Sequence, residues 1–269
     1  MNQRQGNLFS GSGSWSPPVP EPRPLLNPAG LTDAALAAAI VGTTQRDAAA
    51  LTAEAARRRP PDIEAALEAL CRRFKGFGVS SEVHEQRVAL AALRDLGGTA
   101  AADAINRLIA SDAVQGPGLR HLVAAASTPG VRVPTDRLAR WLRDASPEVR
   151  ALACQCARGG ADIAALLIDL MDDLHPPVAI AAARALGRMG RTEARARLRI
   201  DLGTAPTVET IRAIGPIAET DDLVLLKRRA LAAPELTEAV LAVLDDSDDR
   251  LAPAFAAEIR QGRSLAAGR

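Results

Sequence analysis

One pattern returns about every thirty residues along this chain, and it limits the fold more than any other feature. Asp144, Pro147, Val149, Ala153 and Cys156 are followed, 29 residues later, by Asp173, Pro176, Val178, Ala182 and Ala185. Thirty residues earlier, Pro117, Leu119 and Arg120 stand under Pro147, Val149 and Arg150. Val208 echoes Val178 at an offset of 30, and Ala213, Ile214 and Gly215 echo Ala185, Leu186 and Gly187 at 28. The stretch from Ala92 to Gly97 is a fainter, earlier copy. A unit this short cannot bury a core alone, so it must stack on its own copies.

Each element of the unit has a physical role. Proline at the first position of a helix occupies a site whose N–H would be unpaired anyway. An aspartate three residues before it favours the positive end of the helix dipole. Val149, Ala153 and Cys156, at spacings of four and three, form one buried stripe, and its small members let a second helix approach. Gly187, following Ala185 and Leu186, is expected to end its helix.

Punctuation sets the rest of the organisation. Pro60 and Pro61, Gly76 and Gly78, Gly97 and Gly98, Pro129 and Gly130, Gly159 and Gly160, Gly190, Gly203, Pro206 and Pro234 separate Ala- and Leu-rich segments of about 10 to 16 residues. No segment alternates as a strand would. Aromatic residues are only 2% of the chain, four Phe and two Trp with no Tyr, so Ala, Leu, Val and Ile must fill the core. Trp141, at helical spacing with Leu138 and Leu142, belongs to that core.

The repeat residues resemble the short HEAT-like repeats of the phycobilisome-lyase type, well over residues 116–190 and more loosely over 82–261. The resemblance implies an all-α, right-handed α-solenoid of HEAT-like helical hairpins whose concave face binds a partner. The solenoid is expected over 31–261, with atypical N-terminal capping hairpins at 31–80 and a disordered C-terminal end at 262–269. Residues 1–30, rich in Gly, Ser and Pro, are expected to form a disordered tail, its Pro17–Pro24 run acting as a stiff spacer.

Within that tail Gln5, Gly6, Asn7, Leu8 and Phe9 resemble the pentapeptide by which replication and repair proteins dock on the bacterial sliding clamp. The resemblance implies that Leu8 and Phe9 are apolar anchors and that Gln5 hydrogen-bonds at the pocket rim. Gly6 departs from the favoured leucine and raises the ordering cost.

Charge is balanced, 33 basic against 32 acidic residues for a net +1, so no global field draws the chain to nucleic acid or membrane. Only Lys75 and Lys227 are lysines. Arg184, Arg188, Arg191, Arg195 and Arg199 make a local basic run that an anionic partner would fit, or that neighbouring acids would neutralise. Arg57, Arg58, Arg59, Arg72 and Arg73 form a second, diluted one. Aromatic residues to stack bases are missing from both. Cys71, Cys154 and Cys156, with His84, His121 and His175, have no zinc spacing, and no nucleophile–base set, phosphate loop or dinucleotide fingerprint is present. No catalytic residue, metal or cofactor is therefore assigned. Neither a secretory signal nor a membrane span is evident, and the expected location is a bacterial cytoplasm.

These readings make the chain a non-enzymatic scaffold or adaptor that binds one or more proteins. A nucleic-acid-associated accessory factor of replication or repair, docked on the sliding clamp by its tail, is the alternative. A lyase or chaperone for a chromophore-bearing protein is a third reading, carried by the family resemblance alone.

Overall fold

The structure is a computed structural model that describes residues 26–267, with side chains to residue 262. Among the described residues fifteen α-helices follow one another through short turns, and there is no strand. They are α1 (Asp33–Gly42), α2 (Gln45–Arg58), α3 (Ile63–Arg73), α4 (His84–Leu96) and α5 (Gly98–Ala110). Next come α6 (Leu119–Ala125), α7 (Thr135–Leu142), α8 (Pro147–Cys156), α9 (Ala161–Leu170) and α10 (Pro176–Arg188). The chain closes with α11 (Arg195–Thr204), α12 (Val208–Ile214), α13 (Thr220–Ala232), α14 (Thr237–Asp245) and α15 (Ala252–Ala267).

Packing sorts these helices into two rows. Every even-numbered helix from α2 to α14 packs on the next even-numbered one, so that row is unbroken. The odd-numbered row packs α1 on α3, α3 on α5, α7 on α9, α11 on α13 and α13 on α15. The steps from α5 to α7 and from α9 to α11 are not packed in that way. Hairpin contacts tie the rows together, as between α7 and α8 or α9 and α10. This is the α-solenoid that the repeat implies; we term the row with contact at every step the inner row.

The repeat signature maps onto the inner row. Pro147 and Pro176 each occupy the first turn of a helix, and the Ser146 hydroxyl caps α8 by accepting from the Val149 N–H at 3.4 Å. Val149, Ala153 and Cys156 are buried together, as are Val178, Ala182 and Ala185. Trp141 is 3% exposed and lies in the core with Leu138 and Leu142.

Gly187 differs from expectation. It lies within α10, not at its end. A Cβ there would come 2.3 Å from the carbonyl oxygen of Ala213, so glycine is what lets α10 and α12 touch. The turn is made by Gly190 at φ 73°, with the Arg191 N–H donating to the Leu186 oxygen at 3.0 Å and the Gly190 N–H to Gly187 at 2.9 Å.

Ordered elements flank the repeats at both ends. Residues 28–31 are held by Arg58, whose guanidinium donates to the carbonyls of Leu31, Pro28 and Ala29 at 2.6, 2.8 and 2.7 Å. At the other end α15 runs on to Ala267, through Gly262 and the helix-forming Leu265, Ala266 and Ala267.

Candidate functional site

Arginine is the main polar connector of this fold, and its partners decide which surface is left for a ligand. In the central repeats Arg120 and Arg150, thirty residues apart, each reach a carboxylate of the next unit. Arg120 donates to Glu148 at 3.1 Å, and also to Glu82 at 2.6 Å. Arg150 grips Asp173 with two bonds of 2.8 and 3.0 Å, so the aspartate read as a helix-dipole residue is an inter-repeat clamp. The Arg150 guanidinium beside it, helped by the His175 N–H, holds the Asp173 carboxyl down at about 2 against the opposing effect of burial.

The five arginines of the basic run are distributed through this network. Arg184 donates to Asp201 and to the Thr210 hydroxyl, both at 2.9 Å. Arg195 donates to the fully buried Asp222 at 2.6 Å and also pairs with Glu219, while Arg199 lies 3.4 Å from the second oxygen of Asp222. Asp222 also accepts from the Glu219 N–H at 2.9 Å and completes the capping box of α13. Arg191 pairs with Glu193 at 2.7 Å, and Arg188 donates to the Cys154 carbonyl at 3.1 Å. Because α10 ends at Arg188 and α11 starts at Arg195, the five do not share one helix face. The second basic group is equally engaged, with Arg57 and Arg58 on Glu54, Arg59 on the Leu96 carbonyl and Arg72 on Glu68.

Two of the five, Arg188 and Arg191, do come together, and with partners that sequence reading missed. They line an open cleft of about 720 Å³ with Arg158 and Arg212. Its remaining walls are Met189, Pro216 and small residues from Ala157 to Ala164, and no acidic side chain lines it. The cleft sits where the inner helices α8, α10 and α12 turn out toward the other row. Among the described residues neither Arg158 nor Arg212 has an ion-pair or side-chain hydrogen-bond partner. The signal was present in the repeat phase: Arg158 and Arg188 stand 30 residues apart, each followed within two residues by a turn glycine, Gly159 or Gly190.

A neighbouring cleft shares Arg158 and adds Arg132, whereas the next cleft on the other side shares Arg212 and is walled by Asp246, Asp248 and Asp249. The edge therefore changes sign along its length.

The other candidates sit elsewhere. Gln5, Leu8 and Phe9 lie outside the described residues. Cys71, Cys154 and Cys156 are buried free thiols; burial pushes Cys71 and Cys154 up to about 12 and Cys156 to about 11, which leaves no reactive thiolate near neutral pH. Among the described residues no group of His, Cys, Asp and Glu is arranged to hold a metal ion. No described helix is long and apolar enough to cross a membrane.

Comparison with known proteins finds a likeness in the central block. Residues 135–215 match the family model for HEAT repeats. The match covers α7 to α12, which carry the Arg150–Asp173 clamp and Arg188 and include the segments that bear Arg158, Arg191 and Arg212. No curated protein and no solved structure matches the chain.

Proposed function

We propose that the chain is a non-enzymatic protein-binding scaffold or adaptor whose partner lies along the inner row of helices. The observation that supports this reading is the continuity of that row: seven successive helices, α2 to α14, packed one on the next. HEAT repeats suit such a role because stacked units build one long, fixed surface and not a closed pocket. Clamps such as Arg150–Asp173 hold neighbouring units in register, so a partner meets a preorganised surface and loses less ordering entropy on binding. Gln155 on α8 and Glu209 on α12 are exposed on the row and offer probes of it.

A second reading rests on the tail. Gln5, Leu8 and Phe9 would dock on a sliding clamp while the solenoid holds another protein, an arrangement that gains from effective concentration. A pull-down from native lysate separates the two. It compares the intact chain, a chain lacking residues 1–30, a Leu8→Ala/Phe9→Ala variant and a Gln155→Lys/Glu209→Lys variant. Partners lost only with the last variant support the inner row. A sliding clamp lost with the two tail variants supports the tail reading. The same proteins in all four samples would overturn both.

A further inference from the structure

The arginine cleft gathers positive charge that the described fold leaves largely unanswered. Four guanidinium groups, of Arg158, Arg188, Arg191 and Arg212, converge on a single concavity, and only Arg191 has an acid, Glu193, to itself. The fold does not need this arrangement. Other inter-repeat arginines, such as Arg150 and Arg195, reach carboxylates, whereas Arg158 and Arg212 hold nothing inside the described chain. The four side chains are exposed at the cleft mouth, where like charges repel one another and a multiply charged anion seated among them would relieve that repulsion. Desolvation by the surrounding protein and then the neighbouring positive charge of Arg158 lower the Arg188 pKa, and the side chain is exposed at the cleft.

The shape supports the same conclusion. A volume of about 720 Å³ falls within the range of small-molecule sites, roughly 300 to 1,000 Å³. Gly159 and Gly160, both at positive φ, keep one wall free of side chains, and Gly160 is the N-cap of α9 with no side-chain cap on its first turn. Backbone N–H groups there add to the guanidinium donors. No aromatic side chain lines the cleft, so there is no surface on which a base would stack. Asp246, Asp248 and Asp249 follow on the far side of Arg212 and stop the positive surface there.

We propose that this cleft binds a compact polyanion carrying two or more phosphoryl groups, held by the guanidinium groups of Arg158, Arg188 and Arg212. Arginine forks match phosphate oxygens bidentately, and three or four of them around one cavity suit several charges in a small volume. The proposal is independent of the scaffold reading, because it concerns the edge of the solenoid and not the surface of the inner row.

The test is isothermal titration of the full chain with inorganic tripolyphosphate in low salt, with sodium chloride at matched ionic strength as the control. Arg158→Ala and Arg212→Ala are the informative variants, since neither removes an ion pair of the described fold. Each is expected to weaken binding about tenfold, the cost of one charge-assisted contact. Equal thermal unfolding midpoints for the variants and the natural chain would show that any loss is not a folding defect. Heat no larger than the chloride control, or unchanged affinity in the double variant, overturns the proposal.

A single-stranded oligonucleotide distinguishes the source of the phosphate. If tripolyphosphate binds in preference to it and Arg132→Ala leaves binding unchanged, the ligand is compact. If the oligonucleotide binds more tightly and needs Arg132, which lies in the neighbouring cleft, the site serves a strand and the compact ligand is ruled out.

Discussion

The N-terminal hairpins and the central repeats both use arginine to join one helical unit to the next, but they give it different partners. In the N-terminal hairpins it donates to backbone carbonyls. Arg58 reaches residues 28, 29 and 31, Arg73 donates to Val41 and Thr43 at 2.6 and 2.5 Å, and Arg59 donates to Leu96 at 3.0 Å. In the central repeats it donates to carboxylates, as in Arg150 with Asp173 and Arg195 with Asp222. Glu54, which takes Arg57 and Arg58, Asp33, which lies near Arg58, and Glu68, which takes Arg72 and Arg107, are exceptions in the first group, and Arg188, which donates to the Cys154 carbonyl, is one in the second. A carbonyl acceptor is available at any residue and does not titrate. A carboxylate must be written into the sequence at the right phase, and it ties the junction to pH.

The largest effect should come from breaking the central stack. Gly187→Leu places a side chain against the Ala213 carbonyl and should cost at least ~3 kcal/mol, read as a fall in the urea midpoint. Next, Arg58→Ala leaves three carbonyls without their donor at the N-terminal end. A loss of about 2 kcal/mol is expected, with faster amide exchange confined to α1 and α2. If exchange rises equally in α8 and α10, the junctions are not independent.

Asp173→Asn removes the charge from the Arg150 clamp and should cost on the order of 1–2 kcal/mol near neutral pH. The sign with pH follows from the depressed pKa. The Asp173 clamp contributes fully above the unfolded carboxyl value near 4 and is lost as pH falls from about 4 toward 2. Amide exchange at pH 3 against pH 6 should therefore loosen the α8–α10 junction more than the one between α1 and α3 that Arg73 spans. Equal loosening would mean that carboxylate and carbonyl junctions respond alike to pH.

The smallest change is a gain. Gly203 lies inside α11, and a Cβ there meets nothing within 4 Å, so Gly203→Ala should add about 0.5–1 kcal/mol. The opposite outcomes at Gly187 and Gly203 would separate a contact glycine from a dispensable one.

Much of the fold was legible because the repeat writes its core in one-dimensional phase. Proline, valine and two small residues at fixed offsets are enough to place α8 and α10 in register. Gly187 was misread because a helix end and a close crossing both select glycine, and only the neighbouring Ala213 carbonyl tells them apart. Asp173 was read locally, as a charge favouring the helix dipole, because its partner Arg150 lies 23 residues away in the preceding unit. The arginine cleft was half visible. Arg188 and Arg191 drew notice as part of a run of charge, whereas Arg158 and Arg212 stand alone in sequence and join them only through the stacking of three repeats. The carbonyl staples left no sequence signal, since their acceptors are main-chain atoms.

The interrupted outer row has a mechanical consequence. A strip that is continuous on one side and slit on the other flexes at its slits. Here the slits are the steps from α5 to α7 and from α9 to α11, so bending stiffness should be lowest there and the inner row should serve as the neutral line. The second slit opens beside the arginine cleft, whose walls include the start of α9 and the turn leading into α11. A ligand bridging those walls would act as a brace, stiffening the solenoid at one of its two compliant joints.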